Sequence, residues 1–320
     1  MTVFDFLLGI KRVDDKCYDT FSPYYAARQK NYAYPLFYQS VTQMIAENKF
    51  FYKIFKIKGD SVLAIFKRST IMGNYSVMLH IAPISLGNIL SNEIEIMQNA
   101  RRLGISIKLC SDDITRYRIP QSLCEPIKGN IEYIYDAKEC YEMKGSKFHN
   151  YRKKVRKITN MPEYRYTRGV SDNIDRLVAK WDTHNQEQRI KSQQTRQLSD
   201  WKNIKKINSN KVVVHNIYVG NTLECFSVIE ELSPKHWVLV FGMRNYDSAL
   251  NDVNVCMHYL DCQVATSDAM KQVYANLGAS LGIDGLTAAK EKLKPCAKRQ
   301  IYRLAPINKL DVSKIKSLFL

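Results

Sequence analysis

Apolar residues along this chain recur either at every second position or at every third and fourth. The changes of period divide it into short strands and helices. Near the start, Phe21-Ser22-Pro23-Tyr24-Tyr25 reads as a turn. Pro35 suits the first position of a helix running to about Glu47, with Phe37, Val41, Met44 and Ile45 inward. Strands are predicted at 50–57, 61–68 and 75–81, with Lys58-Gly59-Asp60 as the first hairpin. A helix at 88–103 presents Leu90, Ile94 and Met97 and stops at Gly104, before a strand at 105–110. The second half runs in the same order. Ser171 can cap a helix with Asp172 and Asp175 in its first turn and Ile174, Leu177, Val178 and Trp181 on one face. A helical stretch at 198–207 carries Trp201. Strands at 212–219, 222–231 and 236–243 turn at Gly220-Asn221 and Ser233-Pro234. A helix at 252–265, a strand at 272–276 and a helix at 284–293, ended by Pro295, complete the series. The predicted class is α+β. Two tandem units, 1–128 and 129–320, each hold a mixed, mostly antiparallel sheet flanked by helices.

One predicted helix, within 144–160, has a different character. Phe148, Tyr151, Val155 and Ile158 form a single apolar stripe, and the rest is basic. From Lys144 to Arg168 nine Lys/Arg residues meet one acid, Glu163. A solvated helix ordinarily mixes signs, and like charges one turn apart repel by a few tenths of a kcal/mol. An anionic partner would relieve that repulsion.

The whole chain points the same way. Its 320 residues suit about two domains. With 48 Lys+Arg against 31 Asp+Glu it carries +17, which favours nucleic acid, an anionic membrane surface or a phosphorylated donor. The eight cysteines are scattered with no C-x-x-C pair, and the six histidines show no metal spacing, so no metal site is expected. No signal peptide and no spanning segment is evident, so a cytoplasmic, reducing location is expected. There is no P-loop, no G-x-G-x-x-G, no H-E-x-x-H and no G-x-S-x-G. His149 lies within the basic helix. His215 and His236 fall on or beside strands and are assigned structural roles.

A further stretch, 274–303, carries Gly278, Gly282 and Gly285, where backbone can approach a neighbour or a ligand. Ile283, Leu286 and Ala289 fit an inward face. Lys290 and Lys294 lie one turn apart, and Lys298, Arg299 and Arg303 suit a solvated basic tail.

Two motifs resemble those of the soluble phosphatidylglycerol lysyltransferase domain family. The first is Tyr133-Ile134-Tyr135-Asp136 followed by 143–152, against D-Y-x-Y and then L-x-G-K-K-Y-H-x-K-R-N. The second is Asn276, 281–286, Ala289-Lys290 and Pro295, against N-x-x-x-D-L-G-I-x-G-L-x-x-A-K-x-x-x-x-P, and Trp181 sits between the two as in the family. That family is similar to the FemX-type aminoacyl transferases and is built from tandem GNAT folds. The resemblance therefore implies two GNAT-like units and transfer of an aminoacyl group from aminoacyl-tRNA to a hydroxyl or amine. It carries over Lys147, His149 and Arg152 from the first motif, and Asn276, Asp284 and Lys290 from the second. Charge and position add Lys153, Arg156 and Lys292. Arg152 and Lys290 are the catalytic candidates; the others are donor or phosphate contacts, with Asp284 unassigned. Ser146 and Ser280 depart from the motifs, and no integral membrane half of the kind many lipid enzymes carry is expected, which argues against a lipid acceptor.

The implied donor is polyanionic, tRNA or coenzyme A, and no bound cofactor is expected. A coenzyme-A-dependent N-acyltransferase is the first alternative. Against it, the pyrophosphate cradle [QR]-x-x-G-x-[GA] finds only Arg244-Asn245-Tyr246-Asp247-Ser248-Ala249, with Asp247 at the central glycine. A nucleic-acid-modifying transferase, or a binding-only homologue, is the second alternative. The acceptor stays open among lipid, peptide, nucleic acid and small amine. The expectation joining these points is that the basic helix and the helix bearing Lys290 meet in one cleft.

Overall fold

Alternating and continuous apolar runs pair into one extended sheet, and the amphipathic segments pack on its two faces. The computed structural model describes residues 11–46, 52–58, 62–71, 74–87, 89–187, 197–266 and 272–309. In chain order the elements begin with β1 (Lys11–Arg12), α1 (Cys17–Gln29), α2 (Val41–Ala46), β2 (Tyr52–Lys58), β3 (Val62–Ile71), β4 (Asn74–Leu79) and β5 (Ile84–Ser85). Next come α3 (Leu90–Arg102), β6 (Ser106–Cys110), α4 (Ser111–Arg116), β7 (Cys124–Asp136), α5 (Ala137–Glu142), α6 (His149–Thr159) and β8 (Tyr164–Arg168). Then follow α7 (Asp172–Glu187), α8 (Gln197–Ile204), β9 (Val212–Val219), β10 (Thr222–Ser233) and β11 (His236–Arg244). The series closes with α9 (Val253–Thr266), β12 (Tyr274–Ala279), α10 (Asp284–Lys292) and β13 (Ala297–Leu304).

The strand order is β1-β2-β3-β4-β6-β13-β7-β12-β11-β10-β9-β8, with β5 paired to β3 off this path. Among the described residues only β4–β6 and β11–β12 are parallel; the other pairs are antiparallel. The fold is thus α+β, as expected. Residue 128 lies inside the unbroken strand β7, and β13 returns from the far end of the chain to sit between β6 and β7.

That return overturns the solvated tail expected for Arg299, while Lys298 and Arg303 stay exposed as expected. Ile301 and Leu304 face the core, and Arg299 is only 2 % exposed. Its guanidinium donates to the carbonyls of Pro35 and Tyr34 and pairs with Asp112 at 2.9 Å and Glu132 at 3.7 Å. Lys298 pairs with Glu291, and Arg303 with Glu125. Arg299 and Arg303 find acids brought in from far along the sequence, which a reading of local pattern does not show.

Three expectations about the first segment are also corrected. Residues 21–25 are not a turn but the middle of α1, with Pro23 inside the helix. Proline there costs about 3 kcal/mol. Burial of Phe21, Tyr24 and Tyr25 and the buried Arg28–Asp113 ion pair hold the helix against that cost. The helix expected from Pro35 begins instead at Val41. Glu230, buried on β10, accepts from the Ser40 hydroxyl and from the backbone N–H groups of Val41 and Thr42, capping α2. On α3 the inward residues are Glu93, Ile96, Met97 and Ala100, whereas Leu90 is exposed.

Four apolar clusters fill the spaces between sheet and helices. One lies under α3, one around α1, one between α5, α6, α9 and strands β7 and β12, and one around α7 and α8. Trp201 anchors the last, fully buried, its indole N–H donating to Asp175 at 2.6 Å. No helix among the described residues is long and apolar enough to cross a membrane.

Candidate functional site

β11 and β12 run side by side only briefly. Their pairing spans His236 to Val238 against Tyr274 to Asn276 and then ends. Beyond it the β12–β7 register slips between Asn276 and Ala279, and the β10–β11 register slips between Val228 and Ile229. The two strands part, and a cavity of about 810 Å³ opens between residues 239–243 of β11 and 277–279 of β12. Gly278 takes a positive φ of 68° where Phe37 packs against it, with a ring carbon 3.0 Å from where a Cβ would stand. Gly129 and Gly282 meet backbone to backbone nearby: a Cβ on Gly129 would lie 2.4 Å from the Gly282 nitrogen.

The cavity wall draws on both halves of the chain. Tyr38, Lys67, Lys108 and Asn130 come from one side, and Ser227, Asn254, His258, Asp261 and Lys290 from the other. Lys108 is 8 % exposed and holds its ammonium 3.5 Å above the Tyr38 ring. Lys290 is 7 % exposed. Its ammonium donates to the carbonyls of Leu277, Gly278 and Ala279, so all three protons shape the parted end of β12. Burial pushes Lys290 down to about 8, opposed by the nearby Glu132. Glu132 itself is pushed up to about 7 by burial, with Arg299 and the Asn276 amide drawing it back.

Asp261 pairs with His215 at 2.7 Å, and both are buried. Ser227 stands directly across the sheet from His215. Neither the Ser227 hydroxyl nor His215 Nδ1 has a hydrogen-bond partner among the described residues. The sequence marks His215 only as a strand position. What ties it to the cavity is a helix that arrives much later in the chain.

The candidates from sequence divide sharply. Lys290 lines the cavity. Asn276 lies behind it, fully buried: its amide donates to Pro35 and Glu132 and its oxygen accepts from the Gly278 N–H, so it supports the strand. Asp284 and Lys292 are exposed on α10. Ile283 and Leu286, expected inward, are 51 % and 37 % exposed, and Leu286 and the exposed Ala289 form the cavity rim with Leu281. The helix is short and borders an opening, and no element among the described residues covers its apolar side.

The basic helix α6 does not reach this cavity. Arg152, Lys147, His149, Lys153 and Arg156 are absent from its described lining. The stripe Phe148, Tyr151, Val155 and Ile158 is buried against α9, as expected. Arg152 donates to the carbonyls of Met143 and Gly145, and Lys147 pairs with Glu139. Lys154 and Lys157 pair with Asp252 at 3.1 and 3.5 Å. Lys153, Arg156 and His149 are exposed, and Lys153 and Arg156 have no acidic partner among the described residues. The structure therefore does not bring Arg152 and Lys290 together at the cavity; Lys67 and Lys108 supply its other cations.

No family model matches the sequence, and no curated protein matches it. Solved structures do resemble it. A conserved protein of unknown function from Bacteroides thetaiotaomicron is 17 % identical, with a TM-score of 0.71 over 92 % of this chain and 99 % of that one. L-PGS from Bacillus licheniformis is 12 % identical, with a TM-score of 0.60 over 96 % and 97 %. A tandem GNAT protein from the clavulanic acid biosynthesis pathway is 6 % identical, with a TM-score of 0.50 over 94 % and 99 %. The fold is GNAT-like, consistent with the family suspected from the motifs.

Proposed function

We propose that this chain is an acyl-type transferase that moves an aminoacyl group from aminoacyl-tRNA to a hydroxyl or amine acceptor. The observation that carries the proposal is the lysine-walled cavity at the parting of β11 and β12. At about 810 Å³ it suits the aminoacyl end of a donor together with a small acceptor group, not the body of a tRNA. Exposed Lys153 and Arg156 on α6 suit backbone phosphates outside it. In the reaction the acceptor oxygen or nitrogen attacks the ester carbonyl. The bond to the ribose oxygen breaks, and that oxygen leaves with the acceptor's proton. The cationic wall stabilises the oxyanion formed on the way. Lys290 contributes its charge while holding the strand end in shape; Lys67 and Lys108 lie within the same wall. The fold shared with L-PGS and a tandem GNAT protein supports an acyl-type transferase. A coenzyme A donor is disfavoured by the loop after β11, where Asp247 pairs with Lys180 and Arg244 lies against Tyr246.

The test is transfer of labelled amino acid from a charged tRNA pool to a panel of amine, peptide, phosphatidylglycerol and nucleic-acid acceptors, read by product mass. One acceptor should gain the mass of one amino-acid residue, and acyl-CoA should give none. The double reversal Lys153→Glu, Arg156→Glu should weaken tRNA binding and flatten its dependence on log salt by about 0.7–0.9 for each phosphate no longer neutralised. Transfer from acyl-CoA with none from charged tRNA would reject the donor.

A further inference from the structure

Three donor side chains from two helices, one of them far from the other two in sequence, meet beside the cavity. Cys140 lies on α5, and His258 and Cys262 lie one turn apart on α9. Their donor atoms all lie within 4.8 Å of one another, and Cys262 Sγ stands 3.8 Å from His258 Nε2. All three are buried, at 1 %, 2 % and 0 % exposure. A tetrahedral zinc with bonds of about 2.3 Å to sulfur and 2.0–2.1 Å to nitrogen sets its donors roughly 3.5–3.8 Å apart. The cluster is already close to that spacing.

We propose that Cys140, His258 and Cys262 bind one zinc ion, with the fourth coordination position open toward the cavity that His258 lines. Two thiolates and an imidazole without a carboxylate suit zinc and exclude calcium and magnesium. Two surrounding features fit. Tyr135 and Tyr151 set their rings edge-on to His258, at 4.8 and 6.2 Å between centroids, and hold it in place. The Tyr151 hydroxyl, buried near Cys140 and Cys262, has no hydrogen-bond partner among the described residues; a metal-bound thiolate would accept a hydrogen bond from it. The expectation of no metal site rested on local spacing, which pairing between α5 and α9 bypasses. The inference is independent of the identity of the donor or acceptor.

The experiment uses the full chain, purified under reducing conditions without chelator. Metal analysis should find one zinc per chain, and the stripped protein should bind one equivalent of added zinc. Replacing zinc by cobalt should give the visible absorption of tetrahedral thiolate-bound cobalt. Cys140→Ala and Cys262→Ala should each weaken zinc binding at least tenfold while keeping the native circular dichroism spectrum. No saturable zinc binding by the wild-type chain, or binding unchanged in both variants, would overturn the proposal. The cobalt spectrum needs no variant, so its absence from a protein offered one equivalent also counts against it.

Discussion

Replacing Arg299 with leucine is expected to destabilise the protein by about 3–5 kcal/mol, the penalty for leaving a buried charge without its partner. Glu132 is fully buried, and its Oε1 has no hydrogen-bond partner among the described residues. Arg299 is the largest influence keeping its carboxyl from rising beyond about 7. Without Arg299 the folded carboxyl rises further above its ordinary value. The folded chain then binds more protons than the unfolded chain between the two values, so this group's contribution falls as pH rises through that window. Urea midpoints of Arg299→Leu should therefore lie further below wild type at pH 8.5 than at pH 6. Adding Glu132→Gln should recover much of the stability, because the glutamine oxygen can still accept from Asn276. Equal destabilisation at both pH values would show that the cost lies in poorer packing, not in the orphaned carboxylate.

The second large effect is on rate. Lys290→Met should lower transfer by about 10²–10³, the usual scale for removing an interaction that stabilises a developing oxyanion, here the charge of the lysine in the cavity wall. It also leaves the carbonyls of Leu277, Gly278 and Ala279 without their donor. Because burial sets this lysine at about 8, it gives up its charge earlier than in the unfolded chain. Wild-type transfer should fall as pH rises through about 8, and the residual rate of Lys290→Met should not. Stability carries a separate signature. Between about 8 and the ordinary lysine value the unfolded chain binds the extra proton, so this group's contribution to stability rises with pH. The methionine variant lacks that rise.

Much of the fold was legible because its pattern is local. The strands at 212–243 and the stripe on α6 follow from periodicity alone, and β10 and β11 lie where alternation puts them. Elements whose stability comes from distant partners were not legible. β13 reads AKRQIYRL, and Glu132 and Asp112 make its buried Arg299 acceptable within a sheet. The Pro23 helix depends on a buried ion pair to Asp113. The site was legible to the same extent. Lys290 stands at the cavity, but the helix carrying Arg152 attaches its charges elsewhere, and the cavity's lining does not include Arg152. Lys67 and Lys108 sit on strands whose chemistry shows only when the sheet brings them to β12. The transferase proposal therefore rests on the cavity's own wall and leaves α6 an outer, phosphate-binding role.

Ala289→Trp tests that account most directly. Ala289 is exposed at the rim, so an indole there can close the opening without entering the core. Transfer from charged tRNA should disappear, while tRNA binding and the thermal midpoint stay at wild-type values. Wild-type transfer by Ala289→Trp would mean that the acyl group changes hands somewhere other than between β11 and β12.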